Sequence, residues 1–131
     1  MPCRAVYDGA LKSILVVEEH DEMRAALRDW LLVSLPPSHL REARSLEEAL
    51  AHAGRSVPDL VLMNLELPGA NGIEATRALR RLCPSCPVVI MSVNDSEALR
   101  GAALGAGAAA FVSKRELPHG LLPILGRYTK L

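Results

Sequence analysis

Aromatic side chains are nearly missing from this chain of 131 residues: Tyr7, Trp30, Phe111 and Tyr128 are the whole set. So few rings argue against the stacking platforms that hold single-stranded nucleic acids. Neither sign of charge dominates, with 15 Lys and Arg against 15 Asp and Glu, so composition offers no case for a nucleic acid or a membrane surface as partner. No apolar run approaches the roughly 20 residues that cross a bilayer. Met1 to Ala10 contains no apolar signal core, which makes the cytosol the expected compartment. Cysteine is limited to Cys3, Cys83 and Cys86, too few for a disulfide framework and suited to reducing surroundings. What remains is half hydrophobic and long enough to bury one real core.

The most informative stretch runs from Asp59 to Gly72. Leu60 to Leu65 is apolar except for Asn64, as in a strand buried on both faces. Pro68-Gly69 and Asn71-Gly72 then turn the chain into a helical pattern. Asn64 therefore ends a strand, at the edge where open parallel sheets build their sites.

Around it, strands and helices alternate. Residues 1–11 read as a short arm and 12–131 as one domain. Lys12 to Val17 is the first strand and ends in two carboxylates, Glu18 and Glu19. Met23, Ala26, Leu27, Trp30 and Leu31 recur at helical spacing until Pro36-Pro37 stops them. A weaker strand covers 38–43. Ser45 and Glu48 form a capping box for a helix that Gly54 should end. After the central strand, a helix starts at Asn71 and closes at Cys83. Strand 87–92 follows, then a helix opened at Asn94 to Glu97 and ended at Gly105, then strand 108–112. The tail from Leu117 is helical by position, but Gly120, Pro123 and Gly126 oppose a regular helix, and Pro123 implies a kink or restart. Five such alternations predict a five-stranded, doubly wound parallel sheet with helices on both faces. Right-handed crossovers place Glu18, Glu19, Asn64, Ser92 and Lys114 on one edge.

Those positions, taken in order, resemble the receiver domain of response regulators in two-component signalling, a CheY-like, flavodoxin-like fold. The likeness covers about residues 12 to 128. Ile14 to His20 is similar to the family's first strand and acidic pair, and Asp59 to Gly72 to its phosphoacceptor strand and turn. Ser92 and Lys114 follow Asn64 at the spacing of the family's switch hydroxyl and lysine, especially in the subgroup that often carries a LuxR-type DNA-binding domain. The resemblance implies a role in signal transduction and transcription regulation. In the family, an aspartate at the position of Asn64 accepts a phosphoryl group, the acid pair holds Mg²⁺, and the lysine contacts the phosphoryl oxygens.

This sequence departs from that pattern at the acceptor. A carboxamide lacks an anionic oxygen and is a far poorer nucleophile, so acyl-phosphate formation should fail. Two carboxylates and Lys114 leave a formal −1 where the family's three carboxylates and lysine give −2, and Mg²⁺ demands strict octahedral oxygen geometry. Glu18 and Glu19 also carry their oxygens about 1 Å further out than aspartates would. The expectation is a degenerate pseudo-receiver, not an enzyme, with Mg²⁺ weak or absent at Glu18 and Glu19. Asn64 is expected to hydrogen-bond Lys114, and Lys114 to pair with one of the two glutamates. His20 is expected to face solvent.

Its working surface would be the family's output face, made by the fourth helix, the last strand and the tail, with Leu104, Phe111 and Leu121 as contacts. A protein partner or a homodimer would use it, with a possible effector domain outside this chain and neither direct nucleic-acid binding nor a membrane. Three rivals stay open. A neighbouring residue could accept the phosphoryl group. The vacated pocket beside Asn64, Ser92 and Lys114 could hold a small molecule. Cys83-Pro-Ser-Cys86 could act as a thiol redox pair, although Cys83 closes a helix, where the dipole opposes a thiolate. An ordinary alkaline thiol there would remove the last.

Overall fold

The computed structural model describes residues 13–34 and 39–129. The expected arm at 1–11 and the Pro36-Pro37 stop lie outside them. Strands β1 (Ser13–Val17), β2 (His39–Ala43), β3 (Leu60–Asn64), β4 (Val88–Ser92) and β5 (Ala110–Ser113) alternate with helices α1 (Asp21–Ser34), α2 (Leu46–Arg55), α3 (Gly72–Leu82), α4 (Glu97–Gly105) and α5 (Leu122–Thr129). The strands form one parallel sheet in the order β2-β1-β3-β4-β5.

Side chains of successive strand residues point to opposite faces, and the core divides accordingly. Ile14, Val16, Leu60, Leu62, Val89 and Met91 pack with Leu27 and Leu31 of α1 and with Ile124 and Leu125 of α5. Leu15, Val17, Val61, Met63 and Ile90 pack with Ala49 and Ala53 of α2, Ala75 and Leu79 of α3, and Ala103 of α4. The central strand is buried along its whole length, as its apolar run requires.

The capping chemistry holds. Ser45 accepts from the Glu48 amide at 3.2 Å and Asn71 from the Glu74 amide at 2.9 Å. Two helix ends differ from expectation. Helix α2 continues through Gly54 to Arg55, because the Arg41 guanidinium binds the carbonyls of His52 and Ser56, each at 2.7 Å, and holds that last turn in place. Helix α4 is capped by Ser96, which accepts from the Leu99 amide at 3.2 Å, while Asn94 accepts from Ser96.

In the tail, two short 3-10 turns at Lys114–Glu116 and His119–Leu121 precede α5. The helix thus restarts at Leu122, with Pro123 in its first turn, where a missing amide costs no helix bond.

Two of the three residues expected on the output face are corrected by burial. Phe111 is buried in the core beside α4, with the Arg100 guanidinium 5.1 Å from its ring centre. Leu121 is buried against the sheet with α1 and α5. Both are large apolar side chains that the sheet covers. Leu104 is exposed.

Candidate functional site

Among the described residues the buried polar or charged side chains are Glu18, Asn64, Thr76, Ser92 and Ser113. All but Thr76 stand at the carboxyl ends of strands. Parallel winding brings those ends together, and buried polar groups persist only where they find partners.

Glu18 is the centre. It directly follows β1, and its amide donates to the Ala43 carbonyl at 2.9 Å, so the backbone is held while the side chain turns inward. Lys114 Nζ donates to Glu18 Oε1 at 2.8 Å. Oε2 receives the His20 amide at 3.2 Å, faces His20 Nδ1 at 3.1 Å and receives Asn64 Nδ2 at 3.3 Å. Burial opposes the ionised carboxylate. The Lys114 hydrogen bond and the His20 amide and ring outweigh it, and the Glu18 pKa ends below the usual glutamate range. Glu19, the second acid of the expected pair, is exposed, because the next residue along the chain points the other way. His20 is exposed, although its ring touches Glu18.

Asn64 does not bond Lys114 as expected. The lysine is taken by Glu18, and Asn64 Nδ2 donates to Glu18 and, at 2.6 Å, to the Glu66 carbonyl. Exchanging the amide's nitrogen and oxygen would set an oxygen against both acceptors, so hydrogen bonding fixes the orientation. Asn64 Oδ1 is left buried without a partner.

Glu66 is a residue to which sequence reasoning gave no part. Its carboxylate receives Ser92 Oγ at a long 3.4 Å, and Ser92 Oγ in turn accepts the Asn94 amide at 3.0 Å. The available signal was its place two residues past the strand end, where the turn brings a side chain back over the site. That turn is tight. A Cβ on Gly72 would lie 2.7 Å from Leu65 Cα and 2.9 Å from the Asn64 carbonyl oxygen, so only glycine lets α3 start so near the strand.

The Mg²⁺ that the fold's family implies does not fit these residues. Both Glu18 oxygens already receive donors, Glu19 is exposed, and Asn64 turns an N–H group toward Glu18 where a metal needs oxygens. Among the described residues, no three His, Cys, Asp or Glu side chains are grouped to hold a metal ion.

Cys83 and Cys86 lie away from this site, between α3 and β4, and both are buried. Cys83 Sγ donates to the Leu79 carbonyl at 3.2 Å. Burial, and then the neighbouring Cys83, push the Cys86 thiol up to about 12.

A parallel sheet in this order, with a lysine and an acid meeting at the strand ends, defines a receiver-type signalling fold. Residues 14–125 match the response regulator receiver domain family, and the chain belongs to it. It is similar to the transcriptional activator protein ExaE of Pseudomonas putida, at 39% identity over 114 residues, covering 87% of this chain and 53% of that protein. The response regulator GacA of Pseudomonas viridiflava is 37% identical over 101 residues, covering 77% of this chain and 47% of that protein. The chain thus spans about half the length of the curated relatives it matches. A solved LuxR-family two-component response regulator from Aurantimonas sp. SI85-9A1 superposes with a TM-score of 0.76 at 30% identity, over 92% of this chain and 89% of that one. No helix among the described residues is long and apolar enough to cross a membrane.

Proposed function

We propose that this chain is a pseudo-receiver: Asn64 stands at the acceptor position, and the domain works in two-component-type signalling as a phosphorylation-independent interaction module. The observation that carries this reading is the Asn64 carboxamide itself, held by Glu18 and the Glu66 carbonyl at the carboxyl end of β3. It offers no carboxylate oxygen for attack on a phosphorus atom. Lys114 is engaged with Glu18 and Ser92 with Glu66, so the groups that would meet a phosphoryl group have partners within the chain.

On this reading the domain catalyses no reaction. It acts in the cytoplasm on a protein partner, a second copy or an effector domain, and its output is transcription regulation, as in the relative ExaE, a transcriptional activator protein. The contact surface is the α4-β5-α5 side, presented by exposed Leu104 and Leu122 with the small residues Gly101 and Gly105 of α4. Burial of Phe111 and Leu121 removes those two from it.

A small-molecule reading has one observation in its favour, the unpartnered Asn64 Oδ1. The thiol redox reading loses its basis in the raised Cys86 thiol.

Intact-mass spectrometry after incubation with a small phosphodonor and Mg²⁺ tests the proposal, with Asn64→Asp alongside. The wild type stays unmodified and Asn64→Asp gains one phosphoryl group. A wild type that gains a labile phosphoryl group sinks the proposal.

A further inference from the structure

Hydrogen bonds run without a break across four strand ends. Lys114, after β5, donates to Glu18, after β1. Asn64, at the end of β3, donates to Glu18 and to the Glu66 carbonyl. The Glu66 side chain receives Ser92, at the end of β4, whose oxygen accepts the Asn94 amide. Each link is a donor meeting an acceptor, and the charges of buried Glu18 and half-buried Lys114 cancel.

We infer that the Asn64 carboxamide does the joining that a bound cation would do in this pocket, its Nδ2 protons bridging the Glu18 carboxylate and the Glu66 carbonyl so that the strand ends are held without metal. The physical case rests on what two facing oxygens require. Glu18 Oε2 and the Glu66 carbonyl oxygen both present lone pairs to one point, and such a point is stable only with a cation or a hydrogen-bond donor in it. Nδ2 occupies it, 3.3 Å from one oxygen and 2.6 Å from the other.

An aspartate at position 64 would put a third oxygen there, and repulsion would call for a proton or a metal ion. Glu66 then acts as a positioning residue. Its backbone fixes Asn64, and its side chain passes the connection to Ser92 and the loop before α4. The Asn64 Oδ1 beside the bridge is buried and keeps no partner of its own.

This inference deepens the phosphorylation-independent reading and rests on it, but its test contains no phosphodonor. The wild-type chain is melted, and its backbone and carboxamide ¹H–¹⁵N signals recorded, first in chelator and then in millimolar MgCl₂. The expected result is an unchanged melting temperature, unmoved signals at 18–20 and 64–66, and slow exchange of the Asn64 carboxamide protons. Asn64→Asp melts several degrees lower in chelator and recovers when Mg²⁺ is added.

The inference is overturned if Mg²⁺ shifts the wild-type signals or melting temperature. It is equally overturned if the Asn64 carboxamide protons exchange freely, or if Asn64→Asp melts no lower than wild type in chelator. Should Asn64→Asp not fold, Asn64→Ala decides: it removes the bridge without adding charge, so it melts lower than wild type and Mg²⁺ does not restore it. An Asn64→Ala protein as stable as wild type overturns the bridge. A phosphorylated wild type in the mass experiment would remove the pseudo-receiver reading, whereas a metal response here removes only the bridge.

Discussion

The strand-end pocket and the Cys83–Cys86 turn, which leads into β4, flank the same sheet, and both contain residues whose spacing suggests chemistry. In the pocket, buried polar groups have partners drawn from β1, β3 and β5 and the segments that follow them, and one acid is held ionised by a lysine 96 residues away in sequence. At the cysteine turn, burial and then the neighbouring Cys83 drive the Cys86 thiol away from its reactive form, and the Arg80 guanidinium, bound to the Cys86 carbonyl at 3.1 Å, does not outweigh them. Burial disfavours the charged form in both places. The difference is whether an opposite charge bonds the ionising atoms themselves, as Lys114 does at Glu18 and Arg80 does not at the Cys86 thiol. A spacing in sequence therefore becomes a site only where the fold delivers the partner.

The sharpest way to break this comparison is to remove that partner. Lys114→Met should leave Glu18 buried and uncompensated, lowering stability by roughly 3 kcal/mol in chemical denaturation. A loss below about 1 kcal/mol would mean that Glu18 is as well solvated as a surface acid.

Next comes the turn that seats Asn64. Gly72→Ala puts a methyl group 2.7 Å from Leu65 Cα, against backbone that cannot yield cheaply, and should cost roughly 2–3 kcal/mol. Gly101→Ala in α4 meets nothing within 4 Å, and it should stabilise by about 0.5–1 kcal/mol by the same assay. Equal losses at the two glycines would show that the close approach at Gly72 is not real.

The acid profile separates Glu18 from general unfolding. Its folded pKa is lowered, so the unfolded chain binds the extra proton as pH falls through the ordinary glutamate value of 4.5. Stability contributed by Glu18 is complete above that value and is lost as pH falls further toward the folded pKa. Glu18→Gln should lack this component while remaining flat near neutrality, which urea titrations from neutral to acid pH would read. Identical acid slopes in the two proteins would remove Lys114 and His20 as the cause.

The smallest effect belongs to the cysteines. A thiol reagent at neutral pH should leave Cys83 and Cys86 unmodified in the folded protein and label both once urea unfolds it. Rapid labelling in the native state would restore the redox reading of that turn.

Much of this architecture was legible in advance, for local reasons. Apolar runs of strand length, capping residues such as Ser45 and Asn71, and turn residues such as Pro68-Gly69 mark elements because each acts on its immediate neighbours. The extension of α2 past Gly54 was not legible, because it depends on Arg41 reaching in from another strand. Nor was the sorting of Phe111 and Leu121 into the core, since an apolar side chain in sequence says nothing about which helix will cover it. Position marked Asn64, Glu18, Ser92 and Lys114, but not who bonds whom. Lys114 could pair with either glutamate, and strand geometry turned Glu18 inward and left Glu19 outside.

By itself the sequence determined the alternation of strands and helices, the identity of the strand-end residues and the absence of a carboxylate at position 64, because all of these are properties of residue type and order. Only the tertiary structure decided that the carboxamide would face Glu18 and the Glu66 carbonyl, that Glu66 would reach Ser92, and that two suggestive cysteines would be sealed in the core. Those outcomes depend on angles and distances between segments far apart in the chain, where a displacement of about an ångström decides whether a donor meets an acceptor.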